Sequence, residues 1–148
     1  MQTLHMIEGI HYKTLKDAGK FKYELLINLS FDASKWPAVK VIRAIHHRYY
    51  SIMEGVITAK EGYRWDGASG PTLDDETNLR ASLFHDIGYQ SMSEQPAISK
   101  LSWWRKYRIR VTWDKMFRSI LKADGMPFVR RFFWYWSVRG VGALFAYT

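Results

Sequence analysis

The stretch Trp65-Asp66-Gly67-Ala68-Ser69-Gly70-Pro71, followed a short loop later by Ala81-Ser82-Leu83-Phe84-His85-Asp86-Ile87-Gly88-Tyr89, marks where the chain changes character. The first part is a Gly-rich turn carrying one carboxylate. The second has Leu79, Leu83, Phe84 and Ile87 at helical spacing, which predicts a helix from Leu79 to about Met92. Asp74-Asp75-Glu76-Thr77-Asn78 offers N-cap candidates and acidic residues for its first turn, and Ser93-Glu94-Gln95-Pro96 ends it.

Upstream, the pattern has period two. Tyr23, Leu25, Ile27, Leu29 and Phe31 fall on one face of a stretch that alternates for several residues, and predict one half-buried strand over 21–31. Asp32 to Pro37 reads as a turn, and Val39 to Ile45 fits strand or helix equally. Tyr49–Met53 and Val56–Lys60, separated by Glu54-Gly55, predict a hairpin with a two-residue turn. Downstream, Tyr107, Val111, Asp114, Phe117 and Leu121 share a face of a second helix, from about 102 to 122, with Gly125 just past its end. Pro127 opens a third, from Phe128 to about Val141. The expectation is one α+β domain over 1–148: a small N-terminal antiparallel β-sheet, a Gly-rich acidic loop over 64–78, and three helices, two of them an antiparallel pair carrying the site.

A chain of 148 residues, 47% of them apolar, is long enough to close one core. Its net charge of +8 attracts polyanions, either nucleic acid or an anionic bilayer. The absence of cysteine excludes disulfides and thiolate metal sites. No signal-peptide pattern opens the sequence, and no stretch approaches the roughly 20 apolar residues of a spanning helix. The protein is therefore expected to be made in the cytoplasm and to meet a membrane, if at all, from its surface.

On the proposed helix, His85 and Tyr89 share a face, while Asp86 is rotated by about 100°. His85 can then take a proton from water if another group fixes its tautomer. Asp114, on the next helix, is the candidate for that group; a surface ion pair with Arg110 is its bland alternative. Tyr89 is expected to be partly core, its hydroxyl satisfied by a buried carboxylate. Asp86 is left to bind a hard cation, with Asp66 and main-chain carbonyls at Gly67 supplying further oxygens. Such a donor set suits calcium better than zinc. A cation there would polarise an ester carbonyl while His85 activates water. His46-His47 makes a poor ligand pair, because adjacent strand residues face opposite ways.

Asp66-Gly67-Ala68-Ser69 with Ala81-Ser82-x-x-His85-Asp86-x-Gly88-Tyr89 resembles the calcium loop and catalytic helix of bacterial and fungal phospholipases A2. Parvovirus capsid phospholipase domains share the H-D-x-x-Y core, and Trp113-Asp114-Lys115-Met116-Phe117 is similar to their later A-D-x-x-F. The resemblance covers about Arg64 to Leu121. It implies that His85 is the general base, that Asp86 and the Asp66 loop hold calcium, and that Asp114 orients His85. The positions of a bridged cysteine pair in the bacterial lipases are here Ala68 and Ser82, so the loop needs anchoring by packing, through Trp65 and Pro71. The order of motifs over the whole chain, ending in a looser Val138 to Gly142, resembles an uncharacterised family found in phages and prophages.

These features make a calcium-assisted phospholipid esterase acting at an anionic membrane surface the leading expectation. A non-catalytic virion or assembly component contacting phage structural proteins is the chief rival. The interleaved bases and aromatics of Trp103 to Arg110 and Arg130 to Trp136 also fit single-stranded nucleic acid, or simply a buried aromatic face beside a solvated basic one.

Overall fold

The computed structural model describes residues 4–7, 9–67, 74, 75 and 77–146, with side chains described for 9–67, 74, 75 and 77–140. The fold is α+β. The described residues form two antiparallel sheets of four strands each rather than the one small sheet expected. The first contains β1 (Leu4–Ile7), β2 (Ile10–Thr14), β3 (Tyr23–Leu25) and β8 (Arg64–Trp65), in the order β1-β2-β3-β8. The second contains β4 (Leu29–Asp32), β5 (Ile45–His46), β6 (Tyr50–Met53) and β7 (Val56–Ala59), in the order β4-β7-β6-β5.

The single strand expected over 21–31 is split between the two sheets. The chain bends at Leu26 and Ile27, which leaves Ile27 47% exposed although the alternation would bury it. Asn28 secures the bend by accepting the Glu61 amide on its Oδ1 at 2.8 Å. A period-two pattern survives such a break because each half keeps its own alternation. The ambiguous 39–45 stretch contributes to both readings, with a one-turn helix, α1 (Pro37–Lys40), followed by β5. The β6–β7 hairpin forms as expected: Glu54 and Gly55 have φ of 50° and 83°, the paired positive angles of a type I′ turn.

Five helices occur among the described residues where three were expected: the long α2 (Leu79–Glu94), α4 (Trp103–Ala123) and α5 (Phe128–Ala146) are those three, and the single turns α1, before the Gly-rich loop, and α3 (Pro96–Ser99), after it, are additional. Helix α5 runs about a turn beyond its expected end. Helix α2 touches β7 of one sheet and β8 of the other, and also packs on α4 and α5. Both α2–α4 and α4–α5 run antiparallel, as shown by the cross-contacts Arg80–Asp124 with Tyr89–Asp114, and Phe117–Trp134 with Tyr107–Arg139. Fully buried Trp65, Phe84, Ile87, Trp113 and Phe117 fill the core between these layers.

Gly88 sets how closely α2 and α4 approach. A Cβ there would fall 2.6 Å from Cδ2 of the buried Trp113 indole and 2.8 Å from its Cγ. In an exposed helix, Gly→Ala gains about 1 kcal/mol of helix propensity. Here overpacking is the larger effect, so Gly88→Ala is expected to lower stability by roughly 1–3 kcal/mol. Urea or thermal unfolding checks this; a variant more stable than the parent would contradict the contact.

Candidate functional site

Helix α2 presents His85 and Tyr89 one turn apart, their rings 4.2 Å between centroids. Both meet Asp114 of α4. His85 Nε2 lies 2.9 Å from Asp114 Oδ1, and the Tyr89 hydroxyl donates to the same oxygen at 2.7 Å. The other oxygen, Oδ2, accepts from Arg139 of α5 at 2.9 Å. Asp114 is wholly buried, whereas the His85 side chain keeps 10% of its surface open. A buried carboxylate accepts, so Nε2 of His85 carries a proton, and in the neutral imidazole the lone pair is on Nδ1. Nδ1 makes no hydrogen bond among the described residues.

The pair of Asp114 with Arg110 forms beside the His85 contact, but in the interior rather than at the surface: Arg110 is 3% exposed, its Nε stands 4.0 Å from Asp114 Oδ2, and it also donates to the Tyr89 hydroxyl at 3.2 Å and to the Arg139 carbonyl at 2.5 Å. Tyr89 is held well above the ordinary phenol range by burial first, then by the charge and hydrogen bond of Asp114, so it stays a neutral donor. Sequence reading gave no role to Arg139, although the Val138–Gly142 pattern passes through it.

His85, Tyr89, Asp66, Gly67 and Asp86 all line one cavity of about 1050 Å³. Its walls are part apolar, from Phe21, Phe117, Trp134 and Val138, and part polar, including Lys20 and Glu94. His47, set aside in the sequence, also borders it, stacked on Tyr50 at 4.4 Å and 4.0 Å from Glu94, while His46 is exposed. The chain turns immediately after β5, so the two-face rule for strand neighbours no longer places His47.

Asp86 keeps part of its surface open to the cavity but is enclosed by protein. Burial pushes its carboxyl well above the usual range, and the neighbouring Asp66 carboxyl adds to this through its charge and by hydrogen bonding. Lys20 opposes the shift only through its charge. Two carboxyl groups so close, with no cationic side chain bonded to either among the described residues, call for a shared proton or a bound cation. The donor set fits a hard cation: both side chains offer oxygen only, and Gly67 carries a main-chain carbonyl beside them. No group of three or more His, Asp or Glu side chains able to hold a metal occurs among the described residues. Among the described residues further ligands would come from the main chain; Ala68, Ser69, Gly70 and Pro71, named above for the loop and its anchoring, lie outside the described residues.

The approach to this site is fixed without a covalent bridge. Trp65, 1% exposed, donates its indole N–H to Ser82 Oγ at 3.2 Å, and Ser82 in turn donates to the Leu79 carbonyl at 2.9 Å. Gly67 follows at φ 81°, and a Cβ there would lie 2.3 Å from Asp74 Oδ2. Only glycine combines that angle with that approach. Asp74 is held by the Tyr23 hydroxyl at 2.9 Å and Lys22 at 3.4 Å, which connects the turn to the first sheet.

The family described as protein of unknown function (DUF1353) matches residues 44–138. The chain belongs to this family. The matched span includes the second sheet's β5, β6 and β7, the Gly-rich turn, and every residue of the Asp114 and Asp66–Asp86 clusters except Arg139, which lies one position past its end. No curated protein and no solved structure matches the chain.

Because the folded protein holds a proton on Asp86 more tightly than the unfolded chain does, the native state binds more protons above the ordinary aspartate range. Its contribution to stability is therefore complete below about pH 4 and is lost as pH rises through the raised native value. In calcium-free buffer, Asp86→Asn is expected to flatten this fall and to raise the unfolding midpoint at neutral pH. Thermal melts across the pH series check it; parallel curves for parent and variant would count against the buried pair.

Proposed function

We propose that this protein is a phage- or prophage-encoded, phospholipase A2-like esterase that hydrolyses an acyl ester of a phospholipid with the help of calcium. The observation that carries the reading is the arrangement of His85, with Nε2 held by buried Asp114 and Nδ1 unbonded, on the wall of the cavity that also receives Asp66 and Asp86. A base, a group fixing its tautomer and an electrophilic pole are what ester hydrolysis by activated water requires.

In this reading, His85 takes a proton from water at Nδ1 and returns it to the leaving alcohol. Asp114 keeps the imidazole oriented and stabilises the charge it gains, while Tyr89 and Arg139 hold the carboxylate in place. Asp66, Asp86 and the Gly67 carbonyl would hold calcium, which when bound polarises the ester carbonyl and stabilises the developing oxyanion. Phe21, Phe117, Trp134 and Val138 supply an apolar wall suited to an acyl chain. The motif order supports the phage association, since it resembles the phage and prophage family noted above.

Fatty-acid release from phospholipid vesicles is expected to require calcium and to stop on chelation. His85→Ala is expected to lower the rate by roughly 10²–10⁴-fold, the usual contribution of a positioned base. Equal and negligible release from parent and variant would reject the activity.

A further inference from the structure

Helix α5 is apolar on two opposite faces. Trp134 is buried, and Ser137 and Val138 turn with it toward the large cavity. On the other side Val129, Phe132, Phe133 and Trp136 follow one another at helical spacing, with Phe128 at the start, and they are between 45% (Phe132) and 66% (Val129) exposed. So many large apolar side chains along one stripe are more than scattered surface exposure accounts for.

Beside the start of this stripe lies a second cavity of about 410 Å³, lined by Lys115, Arg118, Ser119, Lys122, Phe128 and Arg131. Lys115, Arg118 and Lys122 lie three and four positions apart and so share one face of α4. None of these three forms an ion pair among the described residues, although Arg118 also lies over the Tyr135 ring at 5.3 Å. The only acidic residue from position 115 to the end of the sequence is Asp124, which is buried and bonded to Arg80. The cationic cluster is thus unbalanced and abuts the aromatic stripe.

We infer that this surface docks the protein on an anionic phospholipid bilayer, the α5 stripe entering the acyl boundary and the Lys115–Arg118–Lys122 cavity taking a lipid phosphate. Rings and a valine along one side, with cations gathered at headgroup level, are the composition of an interfacial helix. A strand of nucleic acid needs cations along its whole path. Here the arginines of α5 are bonded within the protein instead: Arg130 to Asp75, Arg131, on the wall of the second cavity, to the Met126 carbonyl, and Arg139 to Asp114. A second copy of the chain would bring two unbalanced cationic clusters together. The inference names the surface on which the proposed esterase would work, yet docking is read without hydrolysis.

The test is co-sedimentation of the full chain with vesicles of ether-linked lipids, which offer no acyl ester to cleave. Binding is expected to vesicles containing about one-third phosphatidylglycerol, to weaken with salt, and to be slight on phosphatidylcholine alone. Phe133→Ser with Trp136→Ser is expected to lower partitioning roughly tenfold or more, and Lys115→Glu with Arg118→Glu by at least a similar factor. Circular dichroism melts matching the parent would show that these surface variants fold, and His85→Ala is expected to bind like the parent. Equal binding to both lipid mixtures, parent-like binding by both double variants, or a dimer dissociated by the aromatic variants would overturn the proposal. So would retention of a single-stranded oligonucleotide, lost in the same variants, in place of vesicle binding. Anionic-vesicle binding without fatty-acid release from ester lipids would reject the esterase and leave the docking surface standing.

Discussion

The fold around the site turns on one buried charge. Asp114 has no exposed surface, and its carboxylate is satisfied by His85 and Tyr89 from α2 and by Arg139 from α5, with Arg110 close by on its own helix. Burying an ion costs several kcal/mol unless partners restore what water supplied. Here each oxygen has a donor, and the donors come from different helices, so the carboxylate is satisfied only when α2, α4 and α5 are docked in one arrangement. The same condition that makes the charge tolerable fixes the imidazole.

Close helix packing makes that arrangement possible. Gly88, on α2 between His85 and Tyr89 and facing the Trp113 indole, removes the side chain that would otherwise hold the helices apart. At the other end of the site a buried hydrogen bond joins the turn to the helix. Trp65 at the end of β8 reaches Ser82 on α2 and so carries the Gly-rich turn to the helix bearing Asp86. The rigidity of this attachment comes from a buried indole in a packed core, since a single neutral hydrogen bond contributes only about 1 kcal/mol.

The two halves of the cavity are electrostatically different. Around Asp114 the negative charge is outnumbered by neighbouring guanidinium groups, whereas burial and the neighbouring Asp66 carboxyl favour the protonated form of Asp86, opposed by the charge of Lys20. One side sets an imidazole against a carboxylate that the surrounding helices satisfy; the other sets two carboxyl groups together. This polarity, and not the mere presence of a histidine and an aspartate in sequence, makes the cavity chemically interesting. Helix α5 serves both the interior and the surface, giving Arg139 and Trp134 to the first and Phe128, Phe132 and Phe133 to the second.

Local patterns in the sequence determined the hairpin at Glu54-Gly55, the extents of α2 and α4, the antiparallel helix pair, and the placing of His85 and Tyr89 on one face. These depend on periodicity and turn chemistry between near neighbours, which a linear string displays. Tertiary structure alone decided that the 21–31 stretch breaks between two sheets, that Arg110 is buried, that Arg139 completes the Asp114 cluster and that His47 borders the cavity. Each of those outcomes is a contact between residues far apart in the chain or a bend set by such a contact, and burial and charge coupling of that kind exist only once the layers have packed.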